Sequence, residues 1–361
     1  MKRGCGCTSG QSGRRWVLGT IDTPMGPVPR IATTRSWRDR VEHFRCRVSS
    51  LRDQYAVEPG LYAVGEPGPQ SEVLVTANYK LSFDHLRRSV AGADAWVLVL
   101  DTRGVNVWCA AGKGTFGTEE LARRIEAVAL HRVVSHRRVI VPQLGAPGVS
   151  AHEVQRRTRF RVHFGPVRAS DVPAYLARGL EATPEMRRVR FGVGARAALV
   201  PMELVPAAKV AVMYAAFVLL VAGFGPRGFR AEDLWSTGMP LAGLGLVAVI
   251  SGAVVTPLLL PFVPTRAFSV KGGAVGIALT AGYAALVPAI HGSGPMVAAF
   301  AWAFAPAASS YLALQFTGST TFTGESGVRK ELRYSLPVHV LAAAIAVALL
   351  AAHKVIAWRG A

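Results

Sequence analysis

The sequence predicts an α/β domain on a Rossmann-like parallel sheet, followed by an all-α transmembrane domain of five helices. Two observations carry this reading. Short β-branched runs alternate with amphipathic segments in the first half of the chain, and five nearly uncharged apolar stretches fill the second half. The chain has 361 residues, 51% of them hydrophobic, with a mean hydropathy of +0.30. That composition is rich for a soluble protein, so part of the chain is expected in lipid.

Residues 1–20 read as a basic, flexible N-terminus without the apolar core of a secretory signal. Residues 21–195 hold the expected α/β domain. Ser71–Thr76 (SEVLVT), Ala95–Asp101 (AWVLVLD) and Arg138–Gln143 (RVIVPQ) read as strands. Phe83–Val90 and Glu119–Leu130 read as the helices between them. Val154–Arg161 crosses to a further strand near Val162–Phe164, and Val172–Gly179 reads as a helix. Strands alternating with helices imply a parallel sheet covered on both faces. Ligands of such sheets sit beyond the carboxyl ends of the strands. Two loops leave from that edge, TANYKLSFD after the first strand and TRGVNVWCAAGKGTFG after the second.

Residues 196–361 form the expected membrane domain, with spans near 208–225, 239–263, 272–290, 296–316 and 337–355. Basic residues collect in three places. Arg187, Arg188, Arg190, Arg196 and Lys209 precede the first span, Arg266 and Lys271 follow the second, and Arg329, Lys330 and Arg333 precede the last. The positive-inside rule puts all three groups, and the N-terminal domain, in the cytoplasm. Five spans would leave the C-terminus outside. No carboxylate or arginine lies inside the spans, which counts against a proton-coupled transporter, and the many small residues suit close helix packing in lipid.

The chain carries 41 Lys+Arg against 22 Asp+Glu, a net +19, and only 10 of the basic residues lie from Ala208 onward. An arginine-rich first half suits a face held near anionic lipid. No nucleic-acid-binding signature accompanies it, so nucleic acid is not expected as a partner.

The four cysteines, Cys5, Cys7, Cys46 and Cys109, make no C-x-x-C pair and no zinc-ligand spacing. A disulfide framework is therefore not expected in this cytoplasmic setting. Cys46, in an arginine-rich helical segment, reads as structural. Cys109 stands in NVWCAAGKGTFGT, which fails as a phosphate loop because Val107 and Gly114 occupy the required glycine and hydroxyl positions. It also fails as a dinucleotide fingerprint, for want of the spacing and an acidic ribose partner. As a nucleophile Cys109 needs a base, and sequence brings none of His85, His131, His136, His152 or His163 beside it. The ordinary reading of such a cysteine is a buried structural thiol. The sharper reading has Asn106 capping a short helix that starts at Val107, with Cys109 third, at its electropositive end. Ala110, Ala111 and Gly112 would then clear a platform for a large flat ligand. A single soft thiolate there suits an axial bond to a metal held by a macrocycle.

The stretch NVWCAAGK at 106–113 resembles the signature of the mercury-methylation corrinoid membrane protein family. The α/β domain is similar to the one in the corrinoid iron-sulfur protein of the acetyl-CoA pathway, and FTGSTTFTGESGVRKE at 316–331 resembles a loop of the same mercury-methylation family. The resemblance runs from about Ile21 to the end of the chain. It implies a corrinoid cofactor, cobalamin or a relative, with Cys109 as the lower axial ligand of cobalt. Asn106, Val107, Trp108, Ala110, Ala111, Gly112 and Lys113 would form the cap helix, and Thr76, Asn78 and Lys80 would help line the corrinoid site. The implied reaction is a methyl transfer from the corrinoid cobalt to inorganic Hg(II), giving methylmercury. The implied partners are a ferredoxin-like reductant with two 4Fe-4S clusters and a folate-linked methyl donor system. The D-x-H-x-x-G motif that supplies a histidine ligand in another corrinoid class is absent, in keeping with cysteine in that role. Paired thiolates at Cys5 and Cys7 offer an Hg(II) contact; the plainer reading is incidental cysteines in a terminal segment. Two other functions stay open: a membrane-anchored corrinoid methyl carrier of one-carbon metabolism, and a membrane transporter with a cytoplasmic ligand-sensing domain.

Overall fold

The computed structural model describes residues 15–48, 55–225, 228–320 and 322–359. The chain divides into two compact units, Met1–Val189 and Arg190–Ala361.

The first unit is built on strands β1 (Val17–Thr23), β2 (Gly26–Ile31), β3 (Gly60–Val64), β4 (Val73–Ala77), β5 (Ala95–Leu100), β6 (Arg138–Val141) and β7 (Arg161–Phe164), in the spatial order β1-β2-β3-β5-β4-β6-β7. Its helices are α1 (Trp37–Val48), α2 (Lys80–Ser89), α3 (Val107–Gly112), α4 (Thr118–Ala127), α5 (Leu130–Val133), α6 (Ala151–Thr158) and α7 (Val172–Ala177). The sheet is mixed, which corrects the expected all-parallel sheet. Strands β5, β4, β6 and β7 are parallel, but β3 runs antiparallel to β5 and β1 antiparallel to β2. Chain length explains both departures. A parallel crossover needs a dozen or more residues, and neither the turn between Thr23 and Gly26 nor the connection from Gly65 to Glu72 is that long. The turn closes on itself, with Thr23 Oγ1 donating to Gly26 O at 2.7 Å and Gly26 in the left-handed region.

Every residue of β4 and β5 is buried, as expected for strands covered on both faces. Val73 and Val75 of β4 pack with Leu121 and Ile125 of α4 on one face, while Leu74 packs with Phe83 and Leu86 of α2 on the other. The chain therefore leaves neighbouring strands β4 and β5 toward opposite faces. Such divergence opens a crevice at the carboxyl edge of the sheet.

Helix α2 is held to α1 by a buried ionic cluster around Asp84. Its carboxylate accepts from Arg87 Nε at 2.7 Å, Lys80 Nζ at 2.5 Å and His43 Nε2 at 2.8 Å. Arg87, itself fully buried, also reaches Asp39 at 3.1 Å and the carbonyls of Ala32 and Thr34. Arg35 donates to His43 Nδ1 at 3.2 Å, and a guanidinium has nothing to accept with. His43 Nε2 therefore carries the proton given to Asp84.

The second unit is helical: α8 (Val193–Ala197), α9 (Val200–Gly223), α10 (Ala231–Asp233), α11 (Met239–Val249), α12 (Thr256–Leu259), α13 (Phe268–Leu286), α14 (Ala289–Gly292), α15 (Pro295–Gln315) and α16 (Glu325–Arg359). Two π-helical turns, Leu234–Gly238 and Ile250–Val255, join α10, α11 and α12 into one rod. Among the described residues four helical stretches are long and apolar enough to cross a membrane: Val193–Gly223, Ala231–Leu259, Pro295–Gly318 and Ser326–Arg359. Four of the five expected spans are thus supported by length and composition. The remaining stretch, near 272–290, belongs to α13, whose apolar character is diluted by Lys271, Gly272, Gly273, Gly276 and Gly282. Gly272 and Gly276 serve packing against α15. A Cβ on Gly272 would stand 2.4 Å from Ala313 Cβ, and one on Gly276 would stand 2.7 Å from Ser309 Cβ. Ser309 Oγ donates to Gly272 O at 2.7 Å across the same contact.

Removing one member of a buried charge cluster leaves the others uncompensated, so Asp84→Asn should destabilise the first unit by about 3–5 kcal/mol in urea unfolding followed by circular dichroism. Burial alone would raise the Asp84 carboxyl, but the His43 hydrogen bond and the charges of Lys80 and Arg87 outweigh it and hold it well below the usual carboxylate range. Because the folded value is depressed, the stabilisation is full above the unfolded value of about 4 and is lost only as pH falls through the folded one. The wild type should therefore lose stability across the acid range below about pH 4, and Asp84→Asn should flatten that loss.

Candidate functional site

The carboxyl edge of the sheet is organised by Asn78, the residue after β4. Its side-chain oxygen accepts from the amides of Thr102 at 3.1 Å and Gly104 at 3.0 Å, and its amide nitrogen donates to Asp101 at 3.3 Å. These bonds bind the loop after β5 to the end of β4. The loop turns through two successive left-handed residues, Arg103 and Gly104, and delivers the chain to α3.

Asn106 caps α3 from an extended conformation, its Oδ1 accepting from Cys109 N at 3.0 Å. At the other end Ala110 O accepts from Thr115 N at 2.9 Å and Phe116 N at 3.1 Å, and Phe116 is fully buried. The helix rests on the loop after β6. A Cβ on Gly148 would lie 2.2 Å from Phe116 O and 3.1 Å from Ala111 Cα, so the backbones meet there only because residue 148 is glycine.

This seating decides which residues face outward. Ala110 and Ala111 are buried, Cys109 is half-buried, and Gly112 and Lys113 are exposed. A Cβ on Gly112 would meet no atom within 4 Å. Cys109 and Gly112, three apart on one helical face, thus present a sulfur beside open space.

A cavity of about 380 Å³ opens beside α3, with Asn106, Val107, Trp108 and Thr76 in its wall. Ser82 and His85 of α2 and Leu144 and Val167 from the loops after β6 and β7 complete it. Cys109 is not in that wall. Asn78 lies behind the loop as its anchor, and Lys80 sits in the Asp84 cluster with 6% of its surface exposed, so neither is in the wall of this cavity. Cys5 and Cys7 lie outside the described residues. Cys46 is buried in the core.

Of the histidines weighed as partners for Cys109, His85 alone appears in the cavity wall. His136 Nε2 donates to Ser71 O at 2.9 Å, before the start of β4. His163 has its pKa lowered by burial and by Arg161 and Arg138. Among the described residues no group of three or more His, Cys, Asp or Glu is placed to hold a metal ion. The arrangement offers one soft donor, suited to a metal that brings its other ligands with it. Sequence reasoning missed Leu144, Gly148 and Val167. A signal existed for the first two: the glycine-rich run after RVIVPQ marks a loop at a strand's carboxyl end.

Comparison with known proteins gives this geometry a context. A family model described as CO dehydrogenase/acetyl-CoA synthase delta subunit matches residues 49–176. The acetyl-CoA decarbonylase/synthase complex subunit gamma of Methanopyrus kandleri is 32% identical over 37% of this chain and 29% of its own length. The corresponding subunit of Archaeoglobus fulgidus is 30% identical over 35% of this chain and 27% of its own, and that of Methanocaldococcus jannaschii 31% over 37% and 27%. The chain thus spans less than a third of the length of these relatives, and the residues that the family model matches lie in the first unit. These similarities support a domain like that of the corrinoid iron-sulfur protein of the acetyl-CoA pathway. The α3 segment and its loop fall inside the matched residues.

Loss of the helix cap should show locally. Asn106→Ala is expected to cost about 1 kcal/mol, read as roughly fivefold faster hydrogen exchange of the amides at 109–112, with the strands β4 and β5 unchanged.

Proposed function

We propose that the chain is a membrane-anchored corrinoid protein of methyl transfer in which Cys109 is the lower axial ligand of cobalt. The observation that carries this reading is the outward face of α3, where the half-buried Cys109 stands one turn before the open space over Gly112. The fit is chemical as well as steric. A corrin is broad and flat and already supplies the equatorial ligands of its metal, so it needs a cleared surface and one donor, and α3 offers both.

When bound, the corrinoid supplies a cobalt centre able to hold and release a methyl group. The chain's part is to place and tune it. Cys109 contributes a soft, electron-rich donor, and Asn106 fixes the position of the Cys109 amide through the cap bond. Asn78 holds the loop that sets where α3 begins. Ala110 and Ala111 turn inward and leave no bulk on the outer face, while Trp108, Val107 and Thr76 line the adjoining cavity.

For the acceptor, we read inorganic Hg(II) as substrate, with methylmercury as product. The NVWCAAGK stretch and the apolar helices of the second unit support it. On this reading the partners are a reductant with two 4Fe-4S clusters and a folate-linked methyl donor. The second reading, a corrinoid methyl carrier of one-carbon metabolism, is the one the comparisons favour, since the relatives are subunits of acetyl-CoA decarbonylase/synthase complexes. In either case the apolar helices would anchor the chain in the cytoplasmic membrane, with the first unit in the cytoplasm by the positive-inside rule.

Three measurements decide these points. Full-length protein loaded with cobalamin should change its cobalt absorption spectrum when Cys109→Ala is introduced; identical spectra would remove the axial thiolate. Gly112→Phe should weaken corrinoid binding by about tenfold, roughly 1.4 kcal/mol, by putting a ring in the cleared space. Given reductant and methyl donor, membranes carrying the protein should form methylmercury from Hg(II). Methylation of a one-carbon-pathway acceptor in its place would favour the carrier.

A further inference from the structure

The start of α16 carries Ser326, Arg329, Lys330 and Arg333 around an open cavity of about 460 Å³. All three basic side chains are exposed. Glu331, the acidic residue among them, points elsewhere: buried, it accepts from Ser269 N at 2.6 Å and Ser269 Oγ at 2.7 Å. Lys330 and Arg333 make no ion pair among the described residues. Arg329, Lys330 and Arg333 thus form a basic group at the start of a helix whose middle, residues 336–352, holds no Asp, Glu, Lys or Arg and is mostly exposed.

A second cavity, of about 300 Å³, lies farther along the same helix. Leu336, Val340 and Ala343 of α16 face Phe304, Ala307 and Tyr311 of α15 across it. His339 lies at its edge with Nε2 already bonded to Ser310 Oγ at 2.9 Å and its ring against Tyr311. Arg329, Arg333, Leu336, Val340 and Ala343 follow one another at steps of four, three, four and three residues, which keeps them on one helical face. The basic cluster therefore runs directly into the apolar groove. From Arg333 to Ala343 the helix rises about 15 Å, the reach of much of an acyl chain.

We propose that this face of α16 is a binding site for an anionic phospholipid, its phosphate held by Arg329, Lys330 and Arg333 and one acyl chain lying in the groove against α15. Charge complementarity selects the headgroup and the groove selects a lipid over a soluble phosphate. Each basic residue near an anionic headgroup adds to its attraction, so a neutral-headgroup lipid with the same chains binds the groove less tightly.

The test uses the purified full chain in detergent, titrated with dioleoyl phosphatidylglycerol or dioleoyl phosphatidylcholine and read by native mass spectrometry. Phosphatidylglycerol should be retained at least about tenfold more tightly, and millimolar inorganic phosphate should not displace it. The triple variant Arg329→Gln, Lys330→Gln, Arg333→Gln should lose the preference with its helicity unchanged. Ala343→Trp, which fills the groove and leaves the cations in place, should weaken retention of both lipids. Equal retention of the two lipids, or a preference surviving in the triple variant, overturns the proposal. Displacement by inorganic phosphate, or an Ala343→Trp variant that binds like wild type, overturns the role of the groove.

Discussion

The side-chain amide of Asn78 is the tie on which the position of Cys109 depends. Strands β4 and β5 are parallel neighbours whose chains depart to opposite faces of the sheet, and nothing in sheet hydrogen bonding fixes where those departing loops lie. Asn78 supplies that constraint by accepting two amides of the loop after β5 with one oxygen. An acceptor at the end of one strand thus sets the path out of the next. Because the amides are buried, leaving them unpaired would be costly, and the loop has little freedom to relax. The cap at Asn106 and the close backbone contact at Gly148 carry this placement through to the sulfur.

The opposite wall of the crevice has a different kind of support. Helix α2 contributes Ser82 and His85 to the cavity, and its inner face carries Lys80, Asp84 and Arg87, locked to α1 and to the carbonyls after β2. Charges this deep add little net stability when balanced, since desolvation consumes most of the attraction. What they provide is a fixed rotation of α2 about its axis. The two walls are therefore held independently, one by a neutral amide and one by ion pairs.

In the helical unit the same question of approach distance is answered by the absence of side chains. Gly272 and Gly276 let α13 come against α15 closely enough for Ser309 to reach a backbone carbonyl. Lys271 spends its ammonium on the carbonyls of Leu260 and Val263, and so serves the chain's turn into α13. Helices α9 and α16, in contrast, keep most of their apolar surface exposed, as helices facing lipid do. The basic cluster on α16 stands out against that surface because its neighbouring carboxylate is spent on Ser269.

The sequence by itself determined the strands whose residues are buried on both sides, β4, β5 and β6, because a continuous apolar run needs no tertiary context to be read. It also determined the local geometry of the cysteine segment, since capping by Asn106 and the i, i+3 relation of Cys109 to Gly112 are short-range properties of a helix. Strands β1 and β2 were not legible: β1 is largely exposed and β2 carries two prolines, so neither shows a buried periodicity. Only the tertiary structure decided the mixed direction of the sheet, which follows from which strands become neighbours. It alone moved Lys80 into an ion cluster and Asn78 behind a loop, because the partners of a polar side chain are set by residues far away in the chain. For the same reason it alone brought Leu144, Gly148 and Val167 to the side of α3.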